Sequence, residues 1–279
     1  MAGRLSIFAG TGGLVPHAVA AAKAAGYKVQ VLALSPRPDL TDVKVITADL
    51  ANPLGIIWSL KIFRTTHIVM AGAIHLPDKA REGLIRFANG GETPAQAAAT
   101  SVGDATLAAL GSVLKKMTGA DLVGVHEIAP DLLAEQGTVG GPAVPHGLDG
   151  SIAFALQTAQ AIGALDIGQA AVVLGRRVIA VEDIGGTDAL IARVGELVRA
   201  GLTGDGSGPL ILAKAVKPQQ PLFADLPAIG PDTVSNCARA GIGIIAVEAG
   251  RSLVIERERL VVLAAQLGIA VHGAVLGNG

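Results

Sequence analysis

The chain of 279 residues is longer than most single domains, so its length predicts two domains that share a cleft. Its formal net charge of −1, with lysine and arginine spread along the chain, excludes the electrostatic footprint of a nucleic-acid-binding protein. The single cysteine, Cys237, excludes an intrachain disulfide and a multi-cysteine metal site.

Hydrophobic residues make up 51% of the chain and charged residues 16%, which is more apolar than an average soluble protein. Two interpretations fit this surplus: a sheet covered on both faces, or such a sheet together with an apolar surface for a lipid or a partner. No run approaches the roughly 18 apolar residues that a membrane-spanning helix needs. Glycines interrupt the N-terminal apolar stretch, which argues against a secretory signal. We therefore predict a cytoplasmic protein that at most touches a membrane surface.

In the first half of the chain, short apolar runs alternate with helical patterns. A run at 5–9 leads into a glycine turn and an alanine-rich helix that stops at Gly26, and a strand follows at 28–34. Further apolar runs lie at 67–71 and 121–125, with a helix opening near Asp104 between them. This alternation predicts a Rossmann-like domain with a parallel, doubly wound sheet for residues 1–132.

Glycine and proline cluster after a helix that is predicted to begin at Pro130, and this cluster indicates a linker over 133–147. A second domain of mixed α/β structure is predicted for residues 148–279. Its strands are predicted at 170–174, 178–182, 210–216 and near Ile244, Leu253 and Val271. Its helices are predicted to begin near Asp149, Asp188, Pro231 and Glu256.

The turn Gly10-Thr11-Gly12-Gly13 lies where the first predicted strand leads into a helix. Its glycines let backbone amides approach a phosphate, and the helix N-terminus adds a favourable dipole. Val15 replaces the third glycine of the dinucleotide fingerprint, and the second strand ends at Ser35 without an acidic residue, which argues against NAD. The turn is therefore a candidate site for a nucleotide phosphate or a nucleoside, with a purely structural tight turn as the alternative.

Two further candidates lie in the same predicted domain. Gly72 and Ala73 follow another predicted strand, and ligands in such folds collect beyond the carboxyl ends of strands, so both residues are candidates for a second wall of the pocket. Asp104 opens a helix, where aspartate serves either as a structural cap or as a ligand contact.

Charged residues of the second domain collect around predicted strand ends. Residues 182–188 hold three carboxylates and a glycine pair, Lys214 and Lys217 lie at the end of another strand, and Asp225 occupies the next loop. A strand-end lysine can neutralise phosphate oxygens, and Mg²⁺ takes carboxylate oxygens and keeps several waters. These are the ingredients of phosphoryl transfer to water, although each charge by itself is more often a cap or a salt-bridge partner. Glu248 and Arg251 are interpreted as an ordinary charged turn.

Six short stretches carry a family resemblance over nearly the whole chain. They are 7–16 (IFAGTGGLVP), 165–170 (LDIGQA), 186–189 (GTDA), 213–214 (AK), 225–231 (DLPAIGP) and 245–251 (IAVEAGR). In this order they resemble the UDP-2,3-diacylglucosamine pyrophosphatases of the LpxI type. A resemblance that keeps the same order over the chain is more specific than any single motif.

The resemblance implies Mg²⁺-dependent hydrolysis of UDP-2,3-diacylglucosamine to UMP and 2,3-diacylglucosamine 1-phosphate in lipid A biosynthesis. It also implies a Rossmann-like N-terminal domain, a C-terminal domain of its own kind, and a lipid-linked UDP-sugar held between them. Such a substrate places the enzyme at the cytoplasmic face of the inner membrane as a peripheral protein. A monomer and a homodimer both stay open.

The resemblance also implies roles for individual residues. Asp225 matches the essential aspartate of the DLP segment, which makes it the candidate metal ligand or water-orienting group. Asp188 and Lys214 are implied to act with it on the phosphates, and Thr187 is implied to contact them. Two further substrate contacts are implied by the match to the DxGQ segment, Asp166 and Gln169.

Two other functions stay open on the sequence. A nicotinamide-dependent oxidoreductase would use the glycine turn and would bind NAD(P)H. A non-catalytic carrier of a lipid or nucleotide would bind intact substrate and cleave nothing with any divalent ion.

Overall fold

The computed structural model describes residues 3–49, 52–72, 103–204, 208–218 and 226–276, with 103–110 described by their backbone alone. The chain divides into two compact units, and the boundary in sequence falls between Asp131 and Leu132.

The first unit is a parallel five-stranded sheet in the order β3-β2-β1-β4-β5 within the described residues. Its strands are β1 (Arg4–Ala9), β2 (Lys28–Ala33), β3 (Lys44–Thr47), β4 (His67–Ala71) and β5 (Asp121–Leu122). Its helices are α1 (Leu14–Ala24), α2 (Pro53–Phe63), α3 (Gly103–Thr118) and α4 (Val125–Ile128). The predicted doubly wound sheet is confirmed, and β3 and α2 are elements that the sequence analysis missed.

Pairing between strands places apolar residues of the first unit in common layers. Phe8 of β1 pairs with Leu32 of β2 and with Met70 of β4, and all three belong to one buried cluster. Ile56 and Leu60 of α2 complete this cluster. Because neighbouring side chains on a strand point to opposite faces, the residues between them are left to pack against the other side of the sheet.

Helix α2 has local signals at both ends. The Asn52 side chain accepts a hydrogen bond from the Gly55 amide, and Pro53 occupies the first turn, where its missing N–H costs nothing. Arg64 ends the helix in the left-handed conformation at φ 54°.

The second unit has a six-stranded mixed sheet in the order β6-β13-β11-β9-β7-β8 within the described residues. Its strands are β6 (Gly137–Gly140), β7 (Ala170–Leu174), β8 (Arg177–Val181), β9 (Leu210–Lys214), β11 (Ile242–Glu248) and β13 (Ala270–Ala274). A small parallel pair joins β10 (Ala228–Ile229) to β12 (Leu253–Val254). The helices are α5 (Asp149–Ala164), α6 (Gly186–Arg199), α7 (Pro231–Ala240) and α8 (Arg257–Leu267).

The second sheet is buried on both faces. Leu212 pairs with Val172 and Ile245 in one apolar cluster. The next residue, Ala213, belongs to a separate cluster on the opposite face. Strands that are covered on both faces read as continuous apolar runs, which accounts for much of the apolar surplus of the sequence.

Two predicted features differ from the structure. The segment predicted as a linker, 133–147, contains β6, which pairs antiparallel with β13 and extends the second sheet. The helix predicted from Pro130 is a single 3₁₀ turn, Pro130–Leu132. The glycines that indicated a linker serve the strand instead: a side chain at Gly141 would lie 1.9 Å from the Ile269 carbonyl oxygen. Within the described residues, no helix has the length and apolarity to cross a bilayer.

Candidate functional site

The first candidate region is the carboxyl end of β1 and β4, where the strand order of the first sheet reverses. Open α/β sheets bind ligands at this switch point. The predicted glycine turn follows β1, and Gly72 follows β4.

The structure brings these two predicted segments together. The Gly10 amide donates to the Ala71 carbonyl at 2.9 Å. Gly72 has a φ of 82°, and a side chain there would lie 2.3 Å from the Thr11 carbonyl oxygen. Glycine is therefore required at Gly72 both by its conformation and by the close approach of the neighbouring turn. Gly12, at φ 96°, is a second position in the turn that favours glycine.

Arg37 is a functional candidate that the sequence analysis missed. Its guanidinium donates to the carbonyl oxygens of Gly10 at 2.8 Å and Gly12 at 3.3 Å. The same group binds both carboxylate oxygens of Asp39, at 2.9 and 2.6 Å, and the Arg37 side chain is only 7% exposed. This hydrogen bond holds the pKa of Asp39 below its usual value. Arg37 thus fixes the carbonyl side of the glycine turn.

The second candidate region is one edge of the second sheet, formed by the carboxyl ends of β8, β9 and β11 and the amino end of β7; we call it the second-sheet edge. These ends coincide because β7 runs antiparallel to β9, so that Ala170 pairs with Lys214. The register brings the DxGQ segment before β7 next to the lysine at the end of β9.

Glu182 organises this edge. Its carboxylate is buried and accepts hydrogen bonds from the backbone amide of Gln169 at 2.7 Å and from the Thr187 hydroxyl at 2.8 Å. A side chain at Gly168 would lie 2.7 Å from the Glu182 carbonyl oxygen, so the two segments approach as closely as glycine allows. Glu182, predicted only as one of three carboxylates in residues 182–188, therefore joins the DxGQ and GTD segments.

Lys214 lies at the same edge and is 6% exposed. Its ammonium donates to the Ala228 carbonyl at 3.0 Å, on the strand that follows the DLP segment. The Ala215 amide donates to the Gln169 carbonyl at 3.1 Å. Lys214 therefore precedes the residue that bonds to Gln169, and Thr187 is linked to Gln169 through Glu182.

Gln169 supplies a signal of its own. Its side-chain oxygen is buried and has no hydrogen-bond partner among the described residues. Buried polar atoms in folded proteins are nearly always paired, so an unpaired one points to a group that the protein alone does not supply.

Asp166 is tied to the segment after β9. Its carboxylate pairs with Lys217 at 2.6 Å, and both side chains are largely buried. Asp166 also has a positive φ of 55°, which is uncommon outside glycine. Lys217, which the sequence suggested as a phosphate contact, is engaged by Asp166.

Asp188 is directed differently from Thr187. It lies in the first turn of α6 and is exposed. Its carboxylate accepts a hydrogen bond at 3.0 Å from the side-chain amide of Asn236 on α7. Asp188 and Lys214 both act electrostatically on Cys237, whose pKa is raised to about 12, mainly by burial. Asp188 thus contacts α7, whereas its neighbour Thr187 contacts Glu182.

The turn at Glu248 is more than an ordinary charged turn. Glu248 is 5% exposed, accepts from the Val216 amide at 3.1 Å and pairs with Arg251 at 3.1 Å. The Arg251 side chain is 45% exposed. The turn is charged, as predicted, and Glu248 also ties β11 to the chain that leaves β9, which the interpretation as an ordinary charged turn did not include.

Comparison with known proteins agrees with the division of the chain into two units. The LpxI C-terminal domain matches residues 135–272, and the LpxI N-terminal domain matches residues 4–132. The chain belongs to the LpxI family. It is also 36% identical over 282 residues to the UDP-2,3-diacylglucosamine pyrophosphatase LpxI of Caulobacter vibrioides, covering 97% of each chain. The resemblance predicted from the sequence is confirmed.

Three predicted site residues fall wholly or partly outside the described part of this LpxI chain. Asp225 and Ala73 lie outside the described residues. Asp104 lies in the first turn of α3, where only its backbone is described.

The described residues offer few free ligands for a cation. Among them, no group of three or more histidine, cysteine, aspartate or glutamate side chains is placed to hold a metal ion. The carboxylates of Glu182, Glu248 and Asp188 already accept hydrogen bonds from the protein. The described part of the chain therefore does not by itself fit a hard-cation site, which needs several oxygen ligands.

Proposed function

We propose that this chain hydrolyses the pyrophosphate bond of UDP-2,3-diacylglucosamine, releasing UMP and 2,3-diacylglucosamine 1-phosphate in lipid A biosynthesis. The observation that carries this proposal is the 36% identity to a UDP-2,3-diacylglucosamine pyrophosphatase over 97% of both chains. The second-sheet edge supports it, because Glu182 joins the DxGQ and GTD segments there and Lys214 contacts Ala228 at the same edge.

Hydrolysis breaks one bridging P–O bond and forms one P–O bond to the oxygen of water. The protein's task is to neutralise charge on the phosphate oxygens and to orient the groups around them. Lys214 supplies a buried positive charge for those oxygens, and Thr187 supplies a hydroxyl whose position Glu182 fixes. The Gln169 side-chain oxygen, which has no hydrogen-bond partner among the described residues, accepts a hydrogen bond from the substrate.

The family's Mg²⁺ requirement is part of the proposal. A bound Mg²⁺ supplies charge neutralisation at phosphate oxygens. We propose Asp225 as its ligand or as the group that orients the attacking water, because Asp225 matches the essential aspartate of the family. The carboxylates already engaged by protein donors are not assigned to the metal.

The glycine turn of the first unit is proposed to bind the nucleotide part of the substrate. Gly12 and Gly13 are exposed in the turn and keep its backbone open to a ligand, and Gly10 is the buried residue that leads into it. Gly72 permits the second turn to lie against the first. Thr11 and Ala73 are proposed as further contacts, and Asp104 as a contact near the start of α3. Asp166 is proposed to act on the substrate through Lys217.

A lipid-linked UDP-sugar also implies where the enzyme works. We propose a peripheral association with the cytoplasmic face of the inner membrane, since the acyl chains of the substrate reside in that bilayer. A homodimer stays a prediction, which sedimentation velocity of the purified chain tests.

The experiment that tests the function is UMP release from the lipid substrate in detergent micelles with Mg²⁺. We expect turnover in the unmodified chain and a loss on the order of 10³-fold or more in Asp225→Ala, because a group acting directly on metal or water is removed. Asp42→Ala is the matched control, since Asp42 forms an exposed pair with Lys23. Full turnover in Asp225→Ala, with the circular dichroism spectrum unchanged in both variants, would contradict the assignment.

The alternative functions have separate readouts. A carrier would bind the intact substrate and release no UMP with any divalent ion. An oxidoreductase would change NADH fluorescence on titration, and none of the described contacts favours it over the family's reaction.

A further inference from the structure

The outer face of α2 is apolar and uncovered. Leu54, Trp58 and Ile62 follow one another at intervals of four residues, which places them in one stripe along the helix. Their exposed fractions are 58%, 67% and 72%. On the opposite side of the same helix, Ile56 and Leu60 are buried in the core of the first unit. The helix therefore has two apolar faces, and the fold of the first unit uses only one of them.

Basic residues surround the C-terminal end of this stripe. Lys61 and Arg64 are exposed, and the Arg4 guanidinium donates to the Phe63 carbonyl at 3.0 Å. Residues 52–64 contain no aspartate or glutamate. The nearest preceding acidic residue, Asp49, lies before the other end of the helix. The outer face thus combines apolar side chains with positive charge.

We propose that the α2 outer face, formed by Leu54, Trp58 and Ile62 with Lys61 and Arg64 beside it, is the element that docks on an anionic lipid bilayer. Tryptophan favours the boundary between headgroups and acyl chains, and basic residues are attracted to anionic headgroups. A surface helix with an apolar face and a basic flank has the chemistry of a protein that lies on a membrane.

A second copy of the chain fits this face less well. An aromatic side chain such as Trp58 has at most roughly 250 Å² of surface, Leu54 and Ile62 are smaller, and all three are only partly exposed. The exposed area of the stripe is therefore well below the roughly 800 Å² per partner of a standard protein interface. The choice of a lipid surface also rests on the proposed function, because a lipid-linked substrate requires the enzyme to reach a bilayer. Docking through α2 would place the first unit where that substrate is anchored.

The test uses the full chain and vesicles without substrate. Trp58 is the single tryptophan, so its emission reports directly on the proposed surface. With vesicles of phosphatidylglycerol and phosphatidylcholine, we expect a blue shift of Trp58 emission and co-flotation, both weaker with phosphatidylcholine alone. An unshifted emission with no co-flotation overturns the proposal.

Two variants separate the apolar and the electrostatic parts. Leu54→Ser with Ile62→Ser is expected to lower the vesicle partition coefficient roughly tenfold or more, because two inserting side chains are lost. Lys61→Glu is expected to weaken binding to the anionic vesicles and to reduce its dependence on salt. The matched control is Val262→Ser with Leu267→Ser on α8, where two apolar residues are also exposed, at 57% and 43%. An equal loss in the control, or no loss in the α2 variant, contradicts a specific docking face.

Two further measurements keep the outcomes distinct. UMP release in detergent micelles is expected to be the same in the unmodified chain and the α2 variant. Loss of vesicle binding alone would therefore count against the docking face, and absence of UMP release alone would count against the proposed function. Sedimentation velocity is expected to show no change of oligomeric state. A dimer that the α2 variant converts to a monomer would assign this face to a second copy and overturn the proposal.

Discussion

The glycine turn of the first unit and the second-sheet edge of the second unit present different groups to a ligand. At the glycine turn, the exposed groups belong to the backbone, and side chains such as Arg37 hold that backbone from behind. At the second-sheet edge, the groups are side chains, and Glu182 and Lys214 are buried where charge is costly. A backbone site suits binding, whereas buried charges in fixed positions suit the stabilisation of a charged transition state.

This comparison predicts that substitutions at the two regions differ in which kinetic constant they change. A change at the second-sheet edge should lower kcat, because the lost interaction strengthens in the transition state. A change behind the glycine turn should raise KM and leave kcat nearly unaltered, because it weakens binding of the nucleotide equally in the ground state and in the transition state.

Among the described residues of the two regions, the largest effect is expected for Lys214→Met. Removing a preorganised positive charge from the phosphate oxygens should lower kcat on the order of 10²–10³-fold. Steady-state UMP release in detergent micelles gives kcat and KM separately. Lys23→Met is the control, because Lys23 forms an exposed pair with Asp42. A Lys214→Met enzyme with normal kcat and raised KM would show that Lys214 only binds.

A smaller effect is expected for Glu182→Gln. The amide oxygen can still accept one hydrogen bond, but the charge and one of the two contacts to Gln169 and Thr187 are lost. A lost hydrogen bond to a charged group corresponds to about 1.5–3 kcal/mol, so kcat should fall roughly 10- to 100-fold.

Glu182→Ala distinguishes positioning from folding. It leaves the backbone amide of Gln169 without its acceptor, so both kcat and the melting temperature should fall further than in Glu182→Gln. The control is Glu256→Gln, whose carboxylate pairs with an exposed Arg259. If Glu182→Gln lowers the melting temperature but not kcat, the carboxylate is structural and does not position Thr187 for the reaction.

Much of the fold could be predicted because its signals are local. The alternation of apolar runs and helices gives the parallel sheet, and Asp149 and Pro231 lie at the starts of α5 and α7. The strand β6 was missed because the glycines in and beside it look like a linker. In the structure, Gly137 and Gly141 have positive φ angles, and Gly141 also approaches the Ile269 carbonyl closely. Helix α2 was missed because it is apolar on both faces, which hides the helical period.

The candidate site was predictable in its residues but less so in their roles. Family motifs name Thr187, Lys214 and Gln169, yet they do not reveal that Glu182 connects two of them, since that contact depends on the antiparallel pairing of β7 and β8. Arg37 carries no sequence signal that distinguishes it from a surface arginine. Its role depends on a contact with Gly10, far away along the chain.

Arg37→Gln therefore gives the smallest expected effect and the sharpest test of the backbone site. A glutamine cannot span two carbonyl oxygens and a carboxylate, so the glycine turn loses a support without losing a ligand contact. We expect KM to rise roughly 3- to 10-fold with kcat within about twofold, as for the loss of one or two hydrogen bonds in binding. The control is Arg259→Gln, an exposed arginine in a surface pair.

The Arg37 contact lowers the pKa of Asp39, so the carboxylate is held in its charged form. The pair therefore contributes stability above the usual pKa of aspartate, and this stability is lost as the pH falls through the lowered value. The difference in stability between the unmodified chain and Arg37→Gln should accordingly shrink in acid. A lower kcat with unchanged KM would place Arg37 at the reacting phosphates and remove the distinction between the two regions.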